Sequence, residues 1–302
     1  MSTAAATAKK NLGVHRYGSR HWVGDGFPVR NLIPGDGVGE QLSPFLLLDY
    51  AGPENFPPTD TPRGVGEHPH RGFETVTIIY DGVVAHRDST GSGGIIGPGD
   101  VQWMTAASGI VHEEMHEKEW AKKGGAFHAI QLWVNLPKAH KMSKPGYQTL
   151  LNRDIPSVEL ARGAGHLRVI AGEFNGTSET MPRSIRGPAK TFTPVHLYDV
   201  RVKAGHRADI TVPAGFNAAV FVLQGEASVN GSGPVKEAEL ARLDRSGERI
   251  TIEAGADTIL LVLAGEPIEE PVARYGSFVM NTQQEIVQAV HDYQAGRMGH
   301  LR

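Results

Sequence analysis

The chain has 302 residues, enough for one large or two ordinary domains, and its 40% hydrophobic and 21% charged residues are typical of a globular protein. Its formal net charge of −3 and scattered Lys and Arg residues argue against direct binding of nucleic acid. The absence of cysteine excludes disulfides, thiolate metal ligands and a cysteine nucleophile. The 37 glycines and 19 prolines indicate many turns and therefore a mostly β structure.

The beginning of the chain carries no pattern of a targeting or membrane segment. Residues 1–10 lack the apolar core of a secretory signal, and no run of about 18 apolar residues occurs anywhere. We therefore expect a soluble cytoplasmic protein with a short, loose N-terminal tail and no membrane contact. Strands and turns are predicted from Gly13 to Phe56, with a turn over residues 31–37 and a buried strand over residues 44–50.

Two pairs of potential metal ligands lie in the segment that follows. His68 and His70 are one residue apart, and so are His112 and Glu114. Residues two positions apart in a strand point to the same face, so each pair can offer two ligands to one point. If the strands that carry these two pairs are neighbours in a sheet, the four side chains can converge on one metal ion.

The pattern after His70 predicts which face of the next strand is buried. The even positions are mostly apolar and share the parity of His68 and His70, so we expect this face to point inward. These positions are Glu74, Val76, Ile78 and Tyr80. Buried imidazoles need partners, because an unpaired polar ring costs about 1–3 kcal/mol, and a metal ion would satisfy them together.

Other histidines in this half have simpler interpretations. His116 shares the parity of His112 but lies farther along the chain, so we expect it beyond the barrel rim, with a surface role or a role in supporting the ligands and not as a ligand itself. His86 and His128 are expected to be core histidines with satisfied hydrogen bonds. The second of these lies in a predicted core strand over residues 126–136, and a basic, proline-bearing stretch over residues 138–147 begins a crossover.

The second half contains an echo of the first. Residues 73–82 align without gaps on residues 216–225. In this register His68 falls on Thr211 and His70 on Pro213, and residues 239–253 offer no histidine in place of His112. The pattern predicts a duplicated barrel with one working site.

The chain is predicted to end in a helix that packs on a barrel. Thr282 and Glu285 have the spacing of a capping box, apolar residues follow at helical intervals, and Gly296 is the predicted terminator. Its role is expected to be structural.

Three motifs carry a resemblance to a known family. His-Pro-His-Arg-Gly-Phe-Glu-Thr-Val-Thr begins at residue 68, Pro-Gly-Asp-Val-Gln-Trp-Met-Thr-Ala at residue 98, and Gly-Ile-Val-His-Glu-Glu-Met at residue 109. Their layout resembles that of cupins, and more closely that of pirins, over nearly the whole chain. The resemblance implies an all-β fold of two cupin barrels (double-stranded β-helices) packed face to face, with a short C-terminal helix. We expect a metal-binding barrel over residues 1–140, a linker over 141–166, and a barrel without metal ligands over 167–302.

The resemblance also bears on the ligand set. Three imidazoles and one carboxylate suit Fe(II), Mn, Ni, Cu or Zn, and pirins imply Fe(II). In many other cupins the glutamate after His-x-His is a ligand, which would be Glu74. Pirins instead use the position of Glu114, so we expect His68, His70, His112 and Glu114 to bind the metal, with Glu74 as a supporting or structural residue.

Three functions follow as alternatives. Bacterial pirin-like proteins imply quercetin 2,3-dioxygenase activity, in which O2 opens the central ring of a flavonol and carbon monoxide leaves; Glu114 would then take the proton of the substrate's 3-hydroxyl. Animal pirins imply an iron-dependent, redox-sensing protein that regulates a partner of the transcription machinery. The third alternative is a metal-binding bicupin with another small substrate or none.

Overall fold

The computed structural model describes residues 6–16, 19–33, 41–176 and 184–301. Residues 34–37 of the predicted turn lie outside these ranges. The described chain is mostly β, as predicted. None of its helices is long and apolar enough to cross a membrane.

The strands of the first half of the chain are short and closely spaced. They are β1 (Asn11–Arg16), β2 (His21–Val23), β3 (Phe27–Ile33), β4 (Phe45–Phe56), β5 (Gly64–His70), β6 (Phe73–Asp81), β7 (Val84–Asp88), β8 (Gly93–Ile96), β9 (Val101–Thr105), β10 (Ile110–His116), β11 (Gly125–Asn135) and β12 (Gly146–Leu150). One short helix, α1 (Lys118–Lys123), separates β10 from β11.

The second half of the chain also consists mainly of short, closely spaced strands. They are β13 (Ser157–Glu159), β14 (Gly165–Ala171), β15 (Glu173–Phe174), β16 (Ile185–Arg186), β17 (Val195–Val202), β18 (Arg207–Thr211), β19 (Asn217–Gln224), β20 (Glu226–Val229), β21 (Val235–Lys236), β22 (Glu239–Leu243), β23 (Arg249–Ala254), β24 (Thr258–Gly265), β25 (Ala273–Tyr275) and β26 (Phe278–Met280). The helix α2 (Gln283–Gln294) follows. Three 3-10 turns cover Lys138–His140, Asn152–Asp154 and Ala161–Gly163.

The chain forms two compact units, each built on a seven-stranded and a four-stranded antiparallel sheet. In the first barrel the strand orders are β12-β9-β6-β11-β4-β3-β2 and β5-β10-β7-β8. In the second barrel they are β1-β22-β19-β24-β17-β14-β13 and β18-β23-β20-β21. The orders correspond strand for strand, and β6 and β19, which carry the predicted repeat, occupy the same place. The duplicated all-β fold is therefore confirmed.

The interior of the second barrel is apolar where the first barrel has histidines. In β18 and β23, which correspond to β5 and β10, Ile210 pairs with Ile250, whereas His68 pairs with His112 in the first barrel. Both isoleucines and Val212 belong to the buried core of the second barrel. The predicted register put Thr211 and Pro213 at the histidine positions, but the interior of the second barrel is filled by the even-numbered residues Ala208, Ile210 and Val212. Five residues separate β18 from β19, whereas only two separate β5 from β6, and a gapless alignment cannot accommodate this difference.

The ends of the chain are exchanged between the two units. The first barrel contains described residues 19–33, 44–152 and 268–301; the second contains 6–16, 41–43 and the described part of 153–267. This grouping differs from the predicted segments 1–140 and 167–302. Strand β1 completes the sheet of the second barrel beside β22, and α2 joins the first barrel. Local patterns could not reveal this, because both assignments depend on long-range pairing.

The C-terminal helix has the predicted signals and the predicted structural role. The Thr282 side chain accepts a hydrogen bond from the Glu285 N–H, and the Glu285 carboxylate accepts one from the Thr282 N–H. The helix ends at Gln294, and Gly296 follows with a φ of 70°. Its buried side packs in a cluster that includes Val111 of β10.

An ion pair fastens this helix to the loop after β5. Arg71 donates to Asp292 Oδ2 at 2.7 Å and to the Ser108 carbonyl at 2.7 Å. Burial acts to raise the pKa of Asp292, but hydrogen bonds from Arg71, Gln288 and Arg297 outweigh it and lower this pKa to about 2. The pair therefore stabilises the fold above the ordinary carboxyl pKa and is lost as the pH falls towards 2.

Replacing Asp292 by alanine is expected to destabilise the first barrel by roughly 3 kcal/mol, because it leaves the buried Arg71 guanidinium unpaired. Urea unfolding at pH 7 measures the change. The matched control is His291→Ala, at the exposed neighbouring position of the same helix. Equal stabilities of the two variants would contradict the proposed fastening role.

Candidate metal centre

Strands β5 and β10 bring the two predicted ligand pairs side by side. His112 lies directly opposite His68, and His70 lies opposite Ile110. The Nε2 atoms of His68 and His112 are 2.8 Å apart, while His68 Nδ1 lies 2.8 Å from the Gly66 carbonyl oxygen. That carbonyl can only accept, so it holds the proton on Nδ1 and leaves the His68 Nε2 lone pair directed at His112.

Three imidazoles form a cluster suited to a metal ion. One ring nitrogen from each of His68, His70 and His112 lies within 4.8 Å of the others. Burial, followed by the neighbouring imidazoles, lowers the pKa of His70 and His112 well below the usual value, so both rings are neutral, the form that binds metals. Three converging ring nitrogens fit a shared cation.

Glu114 lies on the same strand as His112 but outside the cluster of three. Its carboxylate accepts three hydrogen bonds: from Thr77 Oγ1 at 3.1 Å and Gln102 Nε2 at 2.9 Å on Oε1, and from Gln131 Nε2 at 2.9 Å on Oε2. The pairing of β10 with β5 shifts register between His112 and Glu114. Bulges of this kind often re-aim side chains beside active sites.

The donors to Glu114 belong to a polar row that crosses five strands of the large sheet. In register, Asn31 faces Asp49, Asp49 faces Gln131, Gln131 faces Thr77, and Thr77 faces Gln102. Directly opposed residues share a face of the sheet, so the whole row points at the site. Burial raises the pKa of Asp49 to about 6, against the hydrogen bond from Asn31. Sequence patterns missed this row because it exists only across strands.

The inward face of β6 is opposite to the predicted one. Phe73 contacts the His70 ring, with ring centroids 5.2 Å apart, and Thr77 donates to Glu114, so the odd positions face the site. The prediction failed because the Arg71–Gly72 turn, with Gly72 at a φ of 89°, restarts the alternation between β5 and β6. Glu74 consequently points away from the histidines and accepts a hydrogen bond from Thr105 at 2.6 Å.

The buried Glu74 gives a prediction about stability and pH. Burial raises the pKa of Glu74 to about 7, against the hydrogen bond from Thr105. The folded state therefore holds this proton more tightly than the unfolded state, and stability falls as the pH rises from about 4.5 to 7. Glu74→Gln is expected to be more stable than the parent by roughly 3 kcal/mol at pH 8, at about 1.4 kcal/mol per pKa unit, and to match it closely at pH 4.5.

Denaturant unfolding at the two pH values measures this difference. The same variant should keep the metal affinity of the parent, because its side chain faces away from the cluster. A stability difference that does not change with pH would contradict the prediction.

His86 and Asp88 were not predicted as site residues, yet they stand behind His112. His86 Nδ1 lies 3.3 Å from His112 Nδ1, and His86 Nε2 lies 3.3 Å from Asp88 Oδ2. Burial acts to raise the pKa of Asp88, but hydrogen bonds from His86 and Thr90 outweigh it and hold this pKa below its usual value. Their one-residue spacing on a strand is the same signal that revealed the other two pairs.

The remaining histidines of this half have structural surroundings. His116 is buried among aromatic rings and lies 3.0 Å from the Gly26 carbonyl oxygen, so its predicted surface position is wrong. Strand β10 runs farther into the barrel than expected. His128 lies 3.0 Å from the Tyr50 hydroxyl and is a satisfied core histidine, as predicted.

A small cavity of about 50 Å³ adjoins the site. Polar lining comes from the site itself, through His68, Thr77, Glu114 and Gln131, and from Asp49. The apolar lining is contributed mainly by Val23, Phe27, Val29, Ala51, Val65, Ala129 and Ile130. His68 is only partly buried, so the cluster is also accessible from solvent.

Comparison with known proteins agrees with this architecture. The "Pirin" family model matches residues 26–134, and the "Pirin C-terminal cupin domain" model matches residues 197–299. A Pseudomonas aeruginosa protein named "Putative quercetin 2,3-dioxygenase" is 54% identical over 96% of this chain and 98% of its own. The "Pirin-like protein 2" of Arabidopsis thaliana is 38% identical over 91% and 81%, respectively.

A solved structure is similar throughout. The crystal structure of a quercetin 2,3-dioxygenase from Acinetobacter baumannii superposes with a TM-score of 0.91 at 47% identity, covering 98% of this chain and 100% of that one. The fold and the histidine cluster define a two-barrel cupin protein whose first barrel carries a site of the metal-binding type. The chain belongs to the pirin family.

Proposed function

We propose that this protein is a metal-dependent dioxygenase that uses O2 to open the central ring of a flavonol such as quercetin. The observation that carries the proposal is the convergence of three imidazoles near a carboxylate that is held by hydrogen bonds, at the edge of a largely apolar cavity. The names of the relatives above support the same reaction.

The metal would be held by His68, His70 and His112, with Glu114 as the fourth ligand. Three nitrogens and one oxygen suit several divalent ions, among them Ni, Mn, Cu and Zn, and Fe(II) is our choice on the resemblance to pirins. When bound, such an ion supplies Lewis acidity and, for iron, one-electron chemistry with O2. The convergence of one ring nitrogen from each of the three histidines is the structural feature that supports this site.

The chain's own residues have separate tasks in this reaction. Glu114 Oε2 accepts one hydrogen bond, from Gln131, and so retains a lone pair for the proton of a substrate hydroxyl. Gln102 and Thr77 hold the other oxygen, which fixes the plane of the carboxylate.

The cavity itself is too small for a whole flavonol, because pockets for drug-sized ligands occupy about 300–1,000 Å³. The flavonol would therefore approach from the solvent side of His68, with only its reacting hydroxyl near Glu114. The enclosed space suits a molecule of the size of O2 or water.

Oxygen uptake tests the proposal. The full chain is reconstituted anaerobically with Fe(II), mixed with quercetin and given O2, and uptake and carbon monoxide are measured. We expect both with the parent protein and neither with His112→Ala. Protein shown to hold iron that consumes no O2 with quercetin would overturn the flavonol proposal.

A further inference from the structure

A chain of three buried side chains runs outward from the proposed metal site. His112 presents Nε2 to His68 and Nδ1 to His86, so both of its ring nitrogens are engaged. His86 in turn faces Asp88 with Nε2, and the side chains of both are fully buried. Strand pairing fixes this order, because His112 lies opposite Asp88 and Glu114 lies opposite His86 on β7.

The far end of this chain determines where its protons lie. Asp88 Oδ1 accepts hydrogen bonds from the Thr90 N–H at 2.8 Å, the Thr90 hydroxyl at 2.6 Å and the Ser92 N–H at 3.3 Å. An oxygen with three donors belongs to an ionised carboxylate, so Oδ2 accepts from His86 Nε2–H. His86 Nδ1 is then an acceptor, and the proton between the two rings lies on His112 Nδ1. The lone pair of His112 is left on Nε2, which faces the cluster.

The plane of the His86 ring is also fixed. Tyr147 stacks on it with the ring centroids 4.7 Å apart and the planes 14° apart. Gly94 lies opposite His86 on β8, and a Cβ at this position would come within 2.9 Å of the Tyr147 hydroxyl. The same hydroxyl donates to Gln102, which donates to Glu114. The support of His112 and the support of Glu114 are thus parts of one network.

We propose that His86 is a positioning residue that fixes the tautomer and orientation of His112, with Asp88 as its anionic anchor. Ligating histidines usually donate their second ring N–H to a carboxylate or a carbonyl oxygen, and this orients the ring and increases its strength as a ligand. Here a second imidazole is interposed between ligand and carboxylate. The inference rests on the proposed metal site but not on the flavonol reaction.

Cobalt binding tests the inference without turnover. Metal-free full-length protein is titrated with Co²⁺ in competition with a coloured chelator, and the visible spectrum of bound Co²⁺ reports the ligand field. Asp88→Asn turns an N–H towards His86 and forces the opposite tautomers along the chain. His86→Leu removes the acceptor altogether. We expect both variants to bind Co²⁺ about 10- to 100-fold more weakly, with a changed spectrum.

Two further variants separate positioning from general loss of structure. His86→Asn places an amide oxygen near the position of the imidazole Nδ1, so it should recover most of the affinity that leucine loses. Asp81→Asn alters another carboxylate beside a histidine, 3.9 Å from His128 and away from the site, and should bind as the parent does.

The outcomes separate this inference from the proposed function. Equal affinity and identical spectra for His86→Leu and the parent would overturn the role of His86 alone. Equal weakness of His86→Leu and His86→Asn would overturn it as well, since only a structural defect would then be common to both. A parent protein that does not bind Co²⁺ would overturn the metal site itself. Cobalt binding without O2 uptake on quercetin would overturn only the reaction.

Discussion

Replacement of His112 by alanine is expected to abolish tight metal binding. His112 is central to the cluster, because its ring lies 4.3 Å from that of His68 and 4.7 Å from that of His70, measured between centroids. Its removal takes away one ligand and leaves His68 Nε2 without the nitrogen it faces. The loss should exceed the roughly 10- to 100-fold typical of a residue behind the ligands.

The measurement is metal content after anaerobic loading with Fe(II) and gel filtration. His206→Ala is the control, since it removes an exposed histidine from the second barrel. The His112→Ala variant should remain folded, because it no longer has to bury an imidazole ring that lacks a bound metal ion. A stoichiometric iron content in this variant would show that the cluster is not the metal site.

Replacement of Glu114 by glutamine is expected to lower kcat by about 10²- to 10⁴-fold, the range for loss of a general base. The amide has the same shape but cannot take a proton. Its NH2 group would also confront one of the donors that now point at the carboxylate, from Gln102, Gln131 or Thr77. Loss of kcat should therefore be accompanied by some weakening of metal binding.

Turnover is measured by O2 uptake at saturating Fe(II), with bound iron determined in the same samples so that kcat is expressed per metal. Glu113→Gln is the matched control, because the neighbouring side chain points to the other face and pairs with Arg87. Full turnover per iron in Glu114→Gln would eliminate the role of Glu114 as a base.

Much of the site could be predicted from local spacing. The two ligand pairs and the terminal helix rest on periodicity or on short motifs. The structure places the two pairs on the neighbouring strands β5 and β10 and the helix at Gln283–Gln294, while the metal ligands stay a prediction. The inward face of β6 was predicted wrongly for a local reason as well. A two-residue turn with a glycine in the left-handed region resets which side chains point inward, and apolar composition on both faces hides the change.

The features that sequence patterns missed depend on strand pairing. The row from Asn31 to Gln102 consists of single residues on five strands, none of them unusual in its own segment. His86 and Asp88 have the informative spacing, but their meaning depends on the neighbour opposite them, His112. Register between distant strands is fixed by the whole barrel and not by any one stretch.

The exchange of chain ends makes the two halves of this protein complementary fragments. One cut between Leu150 and Ser157 would leave β1 on the fragment that carries the first barrel, and α2 on the fragment that carries the second. Neither fragment would then contain all the strands and helices of its own barrel. A shortened chain without its first sixteen residues would expose the backbone edge of β22. An exposed edge can pair with a strand of another molecule, so this variant is expected to aggregate. Each unit thus depends on the opposite end of the chain for its integrity.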